Sequence, residues 1–149
     1  MNLSPSVVFL SILFAGPSCR ADGKQGYCRG LRFGDIITIS GTTATSLPNS
    51  QIIGGASARD QTTHILDIIQ SALSALGGSL RDVTRTRILL RDVEECMEVV
   101  KVHGRVFGRE GVRPANMTVG GAVLVGEEMK VEIEVDAVMG AGKGEVLRI

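Results

Sequence analysis

RPANMTVGGAVLVGEEMKVEIEVDAV, residues Arg113 to Val138, is the stretch on which the fold turns. Its second half alternates strictly: Val131, Ile133, Val135 and Ala137 fall on one face, Glu132, Glu134 and Asp136 on the other. A period of two with one apolar and one acidic face predicts a half-buried strand. The first half, Asn116 to Val125, is rich in β-formers and free of proline, and Gly126-Glu127-Glu128 separates the two runs. Two β runs with a short glycine-containing break predict an antiparallel hairpin.

The rest of the chain supplies neighbours for that hairpin. Tyr27–Phe33 and Ile36–Ser40 are short β runs meeting at Gly34-Asp35, a turn pair, and Ile37 and Ile39 share a face. Residues 41–55 form a Ser/Thr/Gly/Pro loop region with a short strand at Gln51–Ile53. Ser57 can cap a helix that runs to Leu76, in which Ile65, Ile68, Ile69, Ala72, Leu73 and Leu76 follow helical spacing and Gly77-Gly78 ends it. Arg81–Arg91 reads as a strand with Thr84, Thr86, Ile88 and Leu90 on one face and Arg85, Arg87 and Leu89 on the other. Asp92, with Glu95 in the capping-box position, opens a second helix whose expected buried stripe is Val93, Met97, Val100 and Phe107, and which ends at Gly108–Gly111. The order ββ(β)–α–β–α–ββ implies an α+β, two-layer domain: a mixed sheet with both helices on one face. The other face is expected to carry Thr38, Ser40, Arg85, Arg87, Asn116, Thr118, Glu132, Glu134 and Asp136, with Leu89, Ala122 and Leu124 among them. A sheet face that is half polar suits an oligomer interface with small-ligand pockets at its rims.

Composition removes several classes of function. The 149 residues carry 16 basic and 16 acidic side chains, so no net field draws in a polyanion, and 3% aromatics leaves no stacking platform for single strands. Nucleic acid is therefore not an expected partner. Cys19, Cys28 and Cys96 have no CxxC spacing, which argues against a disulfide framework or structural zinc. His64 and His103, both on predicted helices, read as helix-surface or partly packed residues with no metal partner in view. No metal and no cofactor are expected. The apolar run Ser6–Gly16 is too short to span a bilayer and lacks a basic residue before it. Three readings of residues 1–26 stand: a weak signal peptide, an arm or extra strand docked on the domain, or an extension outside the fold. The expected division is an N-terminal extension at 1–26, the domain at 27–139 and a frayed polar tail at 140–149. A cytoplasmic location is expected, with a secreted or organellar one as the alternative if residues 1–21 act as a targeting segment.

Four segments in order carry a resemblance. They are Tyr27-Cys28-Arg29-Gly30 with Ile39-Ser40-Gly41, Gln61 at the head of the first helix, Gly77-Gly78-Ser79 followed by Asp82-Val83 and Arg91-Asp92-Val93, and Pro114-Ala115 with Val131-Glu132-Ile133-Glu134. From Tyr27 to Met139 the chain resembles the RidA/YjgF family, the reactive-intermediate deaminases also called L-PSP endoribonucleases. The resemblance implies a chorismate-mutase-like fold, a homotrimer, and small-molecule ligands in three clefts between subunits. It also implies hydrolysis of enamine or imine intermediates. In that family a tyrosine, a Ser-Gly turn and a last-strand glutamate shape the pocket, and here they match Tyr27, Ser40-Gly41 and Glu132. The glutamate would position water as the catalytic group. The family's arginine directly after Pro-Ala, a bidentate partner for the substrate carboxylate, is Asn116 here, and a cysteine two residues later is Thr118. Loss of such a charged partner costs about 1.5–3 kcal/mol at a buried site. Arg113 or Arg87 supplies the missing charge, or the ligand is not a carboxylate. Against those roles, Arg87 also suits a pair with Glu134 or Asp136, and Arg113 a solvated loop. Three functions follow: an enamine/imine deaminase, a non-catalytic ligand-binding or regulatory trimer that has lost the deaminase site, and the ribonuclease of the family's other name, which the neutral charge disfavours most.

Overall fold

The structure, a computed structural model, describes residues 26–46 and 49–144; the expectations for residues 1–25 and 145–149 lie outside those residues. Strands β1 (Gly30–Phe33) and β2 (Ile36–Thr42) form the expected antiparallel hairpin, turning at Gly34, whose φ of 60° is left-handed. Two-residue strands β3 (Thr45–Ser46) and β4 (Gln51–Ile52) pair separately beside it. Helix α1 (Ala58–Ala75) begins where Ser57 Oγ accepts the Asp60 amide, as its sequence predicts. A 3₁₀ turn at Leu80–Asp82 leads into β5 (Val83–Leu90). A second such turn at Val93–Glu95 precedes α2 (Cys96–Arg109), and β6 (Ala115–Gly120) and β7 (Val131–Val138) follow.

The sheet order is β1-β2-β7-β5-β6. The two helices cover the face that carries Ile37, Ile39, Ile88, Leu90, Val131, Ile133 and Val135, all at most 1% exposed. Ile65, Ile69 and Leu73 from α1 and Val99 and Phe107 from α2 meet that face. Each such aliphatic side chain taken from water contributes about 1.5–3 kcal/mol, so this layer holds the domain together. The α+β two-layer reading with a mixed sheet is what the structure shows.

The hairpin expected from the quoted stretch does not form. β6 pairs in parallel with β5 and makes no ladder with β7, which instead lies antiparallel between β2 and β5. Val123 and Val125 are 97% and 94% exposed, so β6 stops at Gly120 and the chain crosses the end of the sheet as a loop. Arg91 holds that loop: its Nε donates to Met129 O and its Nη2 to Gly126 O. Period two identifies a strand but not its neighbour, and the β5 side chains Ile88 and Leu90 bury best in the centre.

Four smaller expectations also fail. Thr84 is exposed and apart from Thr86, because a register shift between Val83 and Arg85 against β7 turns it over. The second helix starts at Cys96 rather than at the Asp92 cap, and Asp92 and Glu95 bind Lys130 Nζ. The 3₁₀ turn moves its stripe to Val99, Val102 and Phe107, leaving Val93, Met97 and Val100 on the surface. The tail is not frayed at its start: Gly140 N donates to Asp82 Oδ1, and Ala141–Lys143 makes a 3₁₀ turn.

Candidate functional site

β2 enters the sheet in register with β7 and then slips, the shift falling between Ile39 and Thr42. The slip sets Gly41 directly against the carboxylate of Glu132, so closely that a Cβ at Gly41 would overlap Oε1. Only glycine leaves room for that carboxylate. The turn is tied to the residues before β1: Ser40 N donates to Arg29 O at 3.0 Å, and Ser40 Oγ donates to Cys28 O at 2.7 Å. Arg29 Nη1 donates to Thr42 Oγ1 at 2.9 Å and to Gly41 O at 3.3 Å, and Thr42 Oγ1 donates to Ser40 O at 2.8 Å. Tyr27, 57% exposed, stands one residue before Cys28.

Glu132 is half-buried on the face of the sheet away from the helices. Burial pushes its carboxyl above the usual carboxylate range, Glu134 pushes it further, and Arg29 pulls it back. A carboxyl raised in this way is suited to accepting and returning a proton, or to holding a water that will lose one. Ser40, Gly41 and Glu132 therefore come together, with Arg29 beside them, and Tyr27 lies one residue along the chain from the Cys28 carbonyl that Ser40 binds.

The other candidates lie elsewhere. Arg87 bridges two acids of β7, Nη1 to Glu134 Oε1 at 2.9 Å and Nη2 to Asp136 Oδ2 at 3.0 Å, which is the cross-strand pairing its register allows. Arg113 is exposed in the link before β6. Asn116 and Thr118 were expected on the open face with Glu132. Asn116 is opposite Thr86 in the parallel register, and Thr86 is fully buried, so both β6 side chains lie on the helix side. Ala115, Met117 and Val119 take the places expected of them on the open face, because paired residues of neighbouring strands share a side. Ala122 and Leu124 lie in the loop after β6 instead of on the sheet. Asn116 Nδ2 donates to Thr86 Oγ1 at 2.9 Å, and Thr118 Oγ1 donates to Asn116 Oδ1 at 2.9 Å. Thr86 Oγ1 in turn lies 3.0 Å from His103 Nε2, whose ring packs on Phe107 with centroids 4.5 Å apart.

Arg29, Thr86 and His103 were not among the expected site residues. For Arg29 the available signal was a cation immediately before a strand, and for His103 its place four residues before Phe107 on a helix. Among the described residues no group of three or more His, Cys, Asp or Glu side chains is placed to hold a metal, and no helix is long and apolar enough to cross a membrane.

Comparison with known proteins points to one family. The profile of the Endoribonuclease L-PSP family matches residues 19–139. The 3-aminoacrylate deaminase RutC of Acinetobacter baylyi is 35% identical over 85 residues, 57% of this chain and 65% of that protein. A RutC family protein of Pyrococcus horikoshii is 28% identical over 108 residues, 72% of this chain and 82% of that one. The crystal structure of a YjgF-family protein from Mycobacterium tuberculosis superposes with a TM-score of 0.66 at 35% identity, covering 76% of this chain and 86% of the other.

Proposed function

Since the chain belongs to the L-PSP endoribonuclease (RidA/YjgF) family, we propose that it is an enamine/imine deaminase working in clefts between the subunits of a homotrimer. The observation that carries this reading is the Glu132 carboxyl, half-buried against Gly41 with its proton affinity raised. In the reaction the substrate is an imine, or an enamine tautomerised to one, and Glu132 takes a proton from water as the oxygen adds to the C=N carbon. That proton passes to nitrogen, the hydroxyl proton follows it as the C–N bond breaks, and an oxo product and ammonia leave. No cofactor enters that balance. Resemblance to a protein named 3-aminoacrylate deaminase supports an enamine as the substrate class.

The trimer reading rests on where the candidates fall. Glu132, on the central strand β7, faces away from the helices, while Asn116 and Thr118, on the edge strand β6, lie on the helix side, so the two line one cleft when a second copy brings its β6 edge across. Head-to-tail contact of this kind closes into a ring when its rotation closes, as a trimer's does. A second reading, a ligand-binding trimer without catalysis, is favoured by Asn116, whose amide is hydrogen-bonded within its own subunit at both ends.

The deciding experiment generates 2-imino acids in situ with an amino-acid oxidase and follows their loss by semicarbazide capture. Acceleration by the wild type and its loss in Glu132→Ala establish the deaminase. An inert wild type leaves the binding reading. A monomer in light scattering removes the intersubunit cleft.

A further inference from the structure

The pair at the β6 edge is joined to a half-buried histidine by three consecutive hydrogen bonds: Thr118 to Asn116, Asn116 to Thr86, and Thr86 to His103. The direction of each can be counted. Thr86 is 0% exposed, so its hydroxyl proton needs an acceptor within the protein. Its oxygen accepts from the Asn116 amide nitrogen, which has no lone pair to offer in return. Among the described residues the acceptor that remains is His103 Nε2, at 3.0 Å. His103 must then be a neutral imidazole with Nε2 bare, and burial does favour its neutral form. The hydroxyl protons of Thr118 and Thr86 both point inward, while Asn116, which is exposed, keeps one amide N–H beyond its bond to Thr86, so the edge offers one donor from Asn116 beside an acceptor from Thr118. The Thr118 hydroxyl is committed to Asn116 Oδ1, so what Thr118 turns outward is a pair of oxygen lone pairs.

We propose that His103 is a positioning residue that fixes the hydrogen-bonding polarity of the Asn116–Thr118 edge through Thr86, so that this edge takes an N–H donor of the ligand, an amide or amine, in preference to a carboxylate. A carboxylate would bring lone pairs against the lone pairs of Thr118. This rests on the reading that β6 lines the ligand cleft, and it adds the chemical class of the group that docks there.

The test uses the full chain and two probes of one shape, pyruvamide and pyruvate. In amide-detected NMR titrations at neutral pH, pyruvamide should move the Thr118 backbone amide and the Asn116 side-chain amide signals and bind about tenfold more tightly than pyruvate, the weight of one mispaired polar group. His103→Leu should abolish that preference, and His103→Gln, whose Oε1 can accept from Thr86, should restore it. A role in packing alone would not move the ratio between two probes. Should His103→Leu fail to fold, long-range ¹H–¹⁵N spectra of the wild-type imidazole decide: a bare Nε2 is expected, and a protonated Nε2 reverses the chain and overturns the proposal. Equal binding of both probes, or no shift at Thr118, overturns it as well. Neither result bears on imine hydrolysis at Glu132, which the capture assay judges separately.

Discussion

Gly41→Ala should separate the chemistry of this protein from its stability. Gly41 is outside the left-handed region, so alanine brings no backbone strain. The new methyl would overlap Glu132 Oε1 and stand 3.1 Å from its Cδ. The cheapest relief is rotation of the carboxylate, the free end of a flexible side chain, by on the order of 1 Å. A misplacement of that size at a reacting group costs about 100-fold in rate, equivalent to about 2.7 kcal/mol of transition-state stabilisation. The fold should barely notice, with a melting temperature within about 2 °C of wild type, because less than 1 kcal/mol is lost. The swing also carries the carboxylate away from its burial. Its pKa should fall toward the ordinary range, and the acid limb of kcat/KM should move to lower pH. The assays are semicarbazide capture across pH and a circular-dichroism melt. Full activity in Gly41→Ala with an unmoved acid limb would refute the placement of Glu132 as the working group.

Three further perturbations follow from the same structure. Gln61 is fully buried, donates to Gly55 O and Glu128 O, and accepts from Lys130 N. Gln61→Leu strands these three backbone groups at about 1 kcal/mol each, so its melting temperature should fall by roughly 6–12 °C; a drop under about 2 °C would mean that the loop before β7 is held by Arg91 alone. Arg87→Met removes both partly exposed ion pairs, costing about 1 kcal/mol. It also leaves Glu134 less neutralised, so the acid limb set by Glu132 should move up, and a downward shift would contradict the arrangement. His103 titrates below its ordinary value because it is buried. The unfolded chain therefore takes up its proton first. The stability from this group is complete above about pH 6.5 and is lost as pH falls through that value toward the folded pKa. Urea midpoints between neutral and mildly acid pH should fall more steeply for wild type than for His103→Leu.

The two kinds of substitution differ in what they say about the family likeness. At Glu132, Ser40 and Gly41 the residues match what the resemblance implies, and the structure sets Gly41 against the Glu132 carboxylate. At Asn116 and Thr118 they depart from what the resemblance implies, and their hydrogen bonds run inward to Thr86. An arginine at position 116 would therefore have to leave Thr86 without its donor as well as bring its own charge. The departure at Asn116 is a change of a network, and Thr86 and His103 belong to it.

Much of this was legible in the residues themselves. Strict alternation at Val131–Val138, helical spacing from Ile65 to Leu76 and the Gly34-Asp35 turn each depend on a single element burying one face, and such local periodicity is written in order along the chain. The pairing of Arg87 with Glu134 and Asp136 was also within reach, since both partners were expected on one sheet face. What only the tertiary structure decided is which strands are neighbours. β5 came between β7 and β6, and that single insertion cancelled the hairpin, turned Asn116 and Thr118 to the helix side and set Thr86 beneath them. The slip that brings Gly41 against Glu132, and the 3₁₀ turn that rotates the stripe of α2, are likewise one-residue changes of register. A shift of one residue leaves composition and spacing untouched while exchanging every inward side chain for an outward one, so the choice falls to the packed core as a whole.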